Sequence, residues 1–203
     1  SHEEKRKLDE RPDIFSKIVN YAFAFLKNIN PLIWVAAIFY LGKRVQNGFD
    51  ICANNIVLDC DGAVIEANPG GTFNAGGVIK LNNIQGSTVK NCNINHLVLQ
   101  LSSSSFNIIT SNTFLNSTSP GGFTSQAVYV LASNSNIVSN NKMTATGGYG
   151  VGIWSGSSNN TVKNNIVTST PTGILIQSGN DNTLINNTIT KSSGNGIQVG
   201  PFF

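Results

Sequence analysis

Charged residues are scarce in most of this chain. Eight of the 13 Lys/Arg and five of the 10 Asp/Glu lie in residues 1–44, so residues 45–203 hold five Lys, five acids and no Arg. Binding to nucleic-acid phosphates needs clustered Lys and Arg, which excludes a nucleic-acid surface in this part. Glycoside hydrolysis needs two carboxylates beside the scissile bond. The acids here are instead scattered: Asp50, Asp59, Asp61, Glu66 and Asp181. We therefore expect no catalytic residues.

Cysteine is also rare. The three cysteines, Cys52, Cys60 and Cys92, fit no zinc-ligand spacing. Cys52 and Cys60 could form a disulfide, or they could be buried free thiols. Asp59-Cys60-Asp61-Gly62 is the one close pair of acids, and we interpret it as a turn because a calcium site needs six or more oxygen ligands. We expect neither a metal nor a cofactor.

No apolar run reaches membrane-spanning length. The run 32–42 has 11 residues and is followed by Lys43-Arg44, whereas a bilayer needs about 20. Extending the run back to Tyr21 gives the length but includes Lys27 and Pro31. We predict a charged tail at 1–13 and one or two apolar helices within 14–45. These helices either anchor the chain to a membrane through 14–42 or pack on protein.

What the sequence does contain is a repeat. The segment Thr161–Val167 carries Asn165 with an apolar residue three before it and two after it, and this pattern recurs at intervals of 20–29 residues. The polar position of each copy is, in order, Cys92, Asn112, Asn141, Asn165 and Asn187. A repeat of about 22 residues with Asn in register indicates a solenoid whose Asn side chains stack from coil to coil at a corner.

A second repeat agrees with the first. Alternating apolar pairs precede each Asn-bearing segment, with first members 20, 29, 23, 23 and 23 residues apart. The pairs are Ile79/Leu81, Leu99/Leu101, Val128/Val130, Val151/Ile153, Ile174/Ile176 and Ile197/Val199. One coil buries too few side chains to fold alone, so the coils must stack. We predict an all-β solenoid over 50–203, a right-handed parallel β-helix of about six coils.

Two segments carry a resemblance to a known family. Asn55–Ile65 and Gly173–Ile189, with its Asn-Thr-Leu-x-Asn-Asn-x-Ile pattern, are similar to the NosD-like, pectate-lyase-like right-handed β-helix repeat family. The resemblance covers about residues 52–200 and implies the fold. That superfamily includes carbohydrate-binding proteins, polysaccharide lyases and hydrolases, and structural proteins, so the fold does not choose the function. Residues 1–49 have no counterpart in it.

The candidate binding residues lie on the outer side of one strand row. Tyr129 and Trp154 fall one coil apart, where they could stack on sugar rings, and Gln100 and Gln177 could hydrogen-bond hydroxyl groups. Phe123 belongs to an insertion, 116–126, that lengthens one coil and could form a loop beside them. The same aromatics, together with Leu131 and Leu175, could instead contact a protein.

These patterns favour a non-enzymatic structural or interaction subunit, a β-helix held to a membrane or a larger assembly by its N-terminal helices. The expected partners are other protein subunits, with a membrane through 14–42 and a glycan as further possibilities, and no nucleic acid. A carbohydrate-binding module is the alternative function, and a polysaccharide lyase or glycoside hydrolase is disfavoured for want of acids. The expected location is membrane-associated, and extracytoplasmic or on a cell or virion surface.

Overall fold

The computed structural model describes residues 48–66, 78–117, 126–144 and 146–200. The chain divides into two units, Ser1–Leu41 and Gly42–Phe203, and every described residue lies in the second. The predicted tail at 1–13 and the predicted helices at 14–45 lie outside the described residues. In the described ranges, no helix is long and apolar enough to cross a membrane.

The described residues form nineteen short strands, numbered here in chain order. They are β1 (Gly48–Ile51), β2 (Val57–Asp59), β3 (Val64–Glu66), β4 (Val78–Asn82), β5 (Thr88–Lys90), β6 (Asn93–Asn95), β7 (Val98–Ser102), β8 (Ile108–Thr110), β9 (Thr113–Leu115), β10 (Gln126–Leu131), β11 (Ile137–Ser139), β12 (Lys142–Thr144), β13 (Tyr149–Trp154), β14 (Thr161–Lys163), β15 (Ile166–Thr168), β16 (Thr172–Ile176), β17 (Thr183–Ile185), β18 (Thr188–Thr190) and β19 (Ile197–Val199). Most have three residues, because tight corners follow each other so closely.

Every third strand belongs to the same parallel sheet. Sheet A has the order β1-β4-β7-β10-β13-β16-β19, sheet B runs from β2 to β17, and sheet C runs from β3 to β18. One strand from each sheet makes one coil, so the chain completes six coils before β19. The predicted parallel β-helix of about six coils is confirmed, and the right-handed sense of its coils stays a prediction.

The core follows the second repeat. Val128 pairs in register with Leu99 on one side and with Val151 on the other. Side chains at these positions are fully buried from Ile79 to Ile174. Each rung therefore stacks a branched apolar side chain directly on the next, which is the packing that β-branched residues favour on a pleated surface.

The Asn ladder forms as predicted and hydrogen-bonds each coil to the next. The Oδ1 of Asn165 accepts from the backbone N–H and the Nδ2 of Asn141, both at 3.0 Å. Its own Nδ2 donates to the Val138 carbonyl at 2.9 Å and to Asn187 Oδ1 at 3.0 Å. Asn112 bonds to Asn141 in the same way. The amides of Asn112, Asn141 and Asn165 are thus each satisfied by the coil before and the coil after.

A second ladder, which the sequence reasoning missed, lies at the preceding corner. Its members are Asn107, Asn136, Asn160 and Asn182, and each Oδ1 accepts from the backbone N–H of the member one coil earlier. The second ladder lies at the corner between sheets A and B, and the first lies at the corner between sheets B and C. The strands of sheet B therefore have a ladder at each end.

The corner residue with left-handed backbone is the residue immediately before each ladder position. The residues with positive φ in this row are Asn91, Ser111, Asn140, Asn164 and Asn186, at φ 50–56°. This turn points the following side chain, Asn165 for example, into the interior. The exposed corner residue and the buried ladder residue have separate tasks.

The cysteine pairing considered for Cys52 and Cys60 is wrong. Cys60 is bonded to Cys92, while Cys52 is free and exposed. Cys52 follows β1 in sheet A, whereas Cys60 follows β2 in sheet B, and β2 pairs with β5, which Cys92 follows. Cys92 stands at the first position of the Asn ladder, where its N–H donates to Asn112 Oδ1 at 3.0 Å. The disulfide therefore continues the ladder into the first coil.

Replacing Asn165 by Ala should lower the free energy of unfolding by about 3–5 kcal/mol. The change leaves the Val138 carbonyl, Asn187 and both donors of Asn141 unsatisfied in a buried place. Urea denaturation followed by circular dichroism measures the loss. The control is Asn164→Gly, which keeps the left-handed corner at an exposed site and should change stability by less than about 0.5 kcal/mol. Equal effects of the two changes would contradict the ladder's role.

Breaking the disulfide should also destabilise the fold. The bond spans a sequence separation of 32 residues, for which loop-closure entropy gives about 2–4 kcal/mol. Thermal melts of Cys60→Ser/Cys92→Ser, and of the unmodified chain under reducing conditions, should both show a lower Tm. Cys52→Ser is the matched control and should melt like the parent chain. A parent Tm that reductant does not shift would count against the bond.

Candidate functional site

One row of residues, in register from strand to strand, runs along the outer face of sheet A. Successive strands pair Lys80 with Gln100, Gln100 with Tyr129, Tyr129 with Gly152, Gly152 with Leu175 and Leu175 with Gln198. Trp154 lies two residues further along β13, in register with Leu131. The predicted neighbours Tyr129, Gln100 and Trp154 are therefore brought onto one face.

Three aromatic rings meet on this face. The Trp154 ring centroid lies 6.2 Å from that of Tyr129, with the planes at 84°, and 6.0 Å from that of Tyr149, with the planes at 69°. All three side chains are half-buried, and burial raises the pKa of both tyrosines above the ordinary value. We call Tyr129, Tyr149 and Trp154 the aromatic cluster. Its edge-to-face contacts are those that aromatic rings prefer.

A glutamine amide is buried beside this cluster. Gln126 is fully buried, and neither its Oε1 nor its Nε2 has a hydrogen-bond partner among the residues that the structure describes. A Cβ at residue 152 would fall on Gln126 Oε1 and within 2.6 Å of Trp154 Nε1. The amide and the indole thus share the space above Gly152, and any larger residue there would displace one of them.

Simple alternation along the strand places Gln126 and Tyr149 inside the core, which is why the sequence reasoning missed them. A Cβ at Gly150 would meet the Val167 side chain at 2.5 Å, so Gly150 and Val151 both face inward. The alternation breaks there, and Tyr149 turns to the outer side. Gln126, its partner in register, turns with it. The signal was available in the small residues Ala127 and Gly150, which stand at the same corner in successive coils.

The remaining candidate residues are less central. The Gln177 N–H donates to the Ile153 carbonyl at 2.8 Å, which places Gln177 one coil beyond Trp154. Phe123 lies outside the described residues. Leu131 is half-buried and Leu175 fully buried, so these two do not form the exposed apolar run on which the protein-contact alternative relied.

Asp59, one of the paired acids near Cys60, hydrogen-bonds the turn between β2 and β3 and links it to the second coil. Asp59 accepts from Asn91 Nδ2 at 2.9 Å and from the Asp61 N–H at 3.1 Å, and it pairs with Lys90 Nζ at 3.0 Å. The hydrogen bond from Asn91, then those from Lys90 and Asp61, hold the pKa of Asp59 below its usual value. The Asp59 carboxylate therefore stabilises the turn at Asp61-Gly62, in agreement with the turn interpretation of this segment.

Comparison with models of known protein families identifies the family of this chain. The model of the family described as periplasmic copper-binding protein (NosD) matches residues 51–201. The chain belongs to the NosD family. No curated protein and no solved structure matches the chain. The NosD match supports an extracytoplasmic location, and a disulfide between coils agrees with an oxidising compartment.

The copper named in the NosD description finds no evident site in the described coils. Cys60 and Cys92 are consumed in a disulfide, and Met143 is buried in the core. Within the parts of the chain that the structure describes, no three His, Cys, Asp or Glu side chains come together. Copper sites are built from such clusters of imidazole and sulfur ligands. The described residues therefore do not fit a copper ion.

Proposed function

We propose that this NosD-family chain is a non-enzymatic extracytoplasmic module that binds glycans on the aromatic cluster. The observation that carries the proposal is the meeting of Tyr129, Tyr149 and Trp154 around the buried, unpartnered amide of Gln126. An aromatic surface with one well-placed polar group is the usual composition of a small-ligand site. The rigid coils behind it hold these groups in place.

The chemistry of the face supports binding without catalysis. Strands β7, β10, β13, β16 and β19 contain no Asp, Glu, Lys or Arg. Sugar cleavage needs a proton donor and a base or nucleophile near the bond, and an arginine or lysine is the usual partner of an acidic polysaccharide. Stacking of sugar C–H faces on aromatic rings needs neither.

Trp154→Ala should weaken glycan binding at least tenfold, about the loss seen when an aromatic anchor is removed. A glycan array identifies ligands of the unmodified full chain, and calorimetry on the best of them gives the affinities. Phe106→Ala is the matched control, because this aromatic is 64% exposed on another part of the surface. Absence of any bound glycan, or equal losses in both variants, would overturn the proposal.

A second candidate function, a subunit of a protein assembly, is favoured by a different surface. Phe106 is 64% exposed, Ile108 37% and Val57 46%. Val57 and Ile108 stand in the same outer row of sheet B, with Thr88 between them. Exposed apolar side chains grouped on one side are typical of protein contact surfaces. This surface is separate from the aromatic cluster, so the two functions do not compete.

If sheet B mediates assembly, the full chain should self-associate and Phe106→Ser/Ile108→Thr should reduce the association constant about tenfold or more. Removing these side chains removes the apolar area that drives association. Sedimentation velocity over a range of concentrations measures it, with Trp154→Ala as the control that should associate normally. A parent chain that remains monomeric at all concentrations argues against this second function.

A further inference from the structure

Among the residues that the structure describes, Gln126 is the one side-chain amide with both of its polar atoms buried and unpartnered. Asn112, Asn141 and Asn165 have hydrogen-bond partners in both neighbouring coils, whereas Gln126 has none within the described part of the chain. Buried polar groups in native proteins are nearly always hydrogen-bonded, and an exception calls for an explanation. An unpartnered amide costs stability, so a role in binding is the natural explanation.

The surroundings of the amide define what it can bind. A side-chain amide offers one acceptor oxygen and donor hydrogens on the adjacent nitrogen. Two neighbouring hydroxyl groups of a sugar ring match it, because one can donate to Oε1 while the other accepts from Nε2. The apolar face of the same ring can lie against the aromatic cluster.

Charge on the ligand would find no partner here. The nearest charged residue in the outer row through Tyr129 is Lys80, two strands away, and Lys80 stands in register with Asp50. A buried carboxylate without a cation is strongly disfavoured. A uronate would also place a negative oxygen against Gln126 Oε1 or leave that acceptor unpaired.

On these grounds we propose that Gln126 selects the ligand of the aromatic cluster, an uncharged sugar that presents two adjacent hydroxyl groups to the amide. The inference rests on the glycan-binding function proposed above and names the ligand class for that site. Gln126 binds the hydroxyls, the tyrosines and Trp154 bind the ring face, and Gly152 leaves the space that these groups share.

Access to the amide requires a movement. Gln126 is closed off from solvent, and the Trp154 indole occupies the space above Gly152 together with it. The sugar therefore reaches the amide only when the indole turns aside. Binding then changes the environment of Trp154, which fluorescence reports.

Gln126→Met tests the inference, because Met has a similar shape and no amide. The variant should melt about 2–6 °C higher than the parent, since an unpartnered buried amide is removed. Its affinity for uncharged glycans should fall about 10–100-fold, the value of two lost hydrogen bonds. The matched control is Gln198→Met in the same outer row, a partly exposed amide whose Oε1 already accepts from Asn195 Nδ2 at 3.2 Å. It should change neither quantity.

The outcomes separate this inference from the broader function. If Trp154→Ala abolishes binding while Gln126→Met retains it, glycan binding stands and the role of Gln126 fails. A lower Tm for Gln126→Met shows a structural amide and overturns the role as well. Uronate oligomers that bind as tightly as neutral ones overturn the ligand class. A chain that binds no glycan at all overturns both proposals.

Fluorescence tests the access step separately. The chain has two tryptophans, so Trp34→Phe leaves Trp154 as the sole indole. Saturation with a bound neutral glycan should shift its emission maximum by several nanometres. Binding with an unchanged emission spectrum would overturn the movement of Trp154. The role of Gln126 in binding would then be decided by the affinity tests alone.

Discussion

The hydrogen bond from one coil's backbone to the next coil's asparagine side chain is the constraint on which this structure depends. Asn165 accepts from the N–H of Asn141 and donates to the Val138 carbonyl, so one amide satisfies polar groups at a corner where no strand can. Three-residue strands bury too little apolar surface to hold a coil alone. With both ladders in place, the corners are as well bonded as the sheets, and sequence variation on the outer faces becomes tolerable.

That tolerance explains how an unfavourable group can persist in the fourth coil. An unpartnered buried amide destabilises by about 1–3 kcal/mol, which is less than the loss of about 3–5 kcal/mol expected when one ladder asparagine is removed. Gln126 is held by its pairing with Tyr149 in sheet A, and its amide has no hydrogen-bond partner among the described residues. The break in alternation at Gly150 turns it and Tyr149 outward. The strand register that positions the core residues therefore also positions the unpartnered amide of Gln126.

The sequence reasoning predicted the apolar rungs and the ladder through Asn165, and it missed the second ladder and the side chains that differ from coil to coil. The rung Leu99, Val128, Val151 was predicted because each coil supplies an apolar residue at the same interval, and the ladder through Asn165 for the same reason. The partner of Cys60 was missed because Asp61-Gly62 enlarges the first turn and hides its alignment with Cys92. Gln126 and Tyr149 were missed because alternation breaks where a small residue, Ala127 or Gly150, faces the core.

The location of the site follows from the same argument. A binding site on a β-helix needs side chains that differ from coil to coil. Such side chains occur on strands β10 and β13, where the alternation of inward and outward residues breaks. Gly152 is the decisive position, since any side chain there would occupy the space that Gln126 and Trp154 share. Its neighbours in the row, Tyr129 and Leu175, are both large. The absence of a side chain at Gly152 thus leaves the room that the Gln126 amide and the Trp154 ring occupy, and the glycan-binding proposal rests on this arrangement.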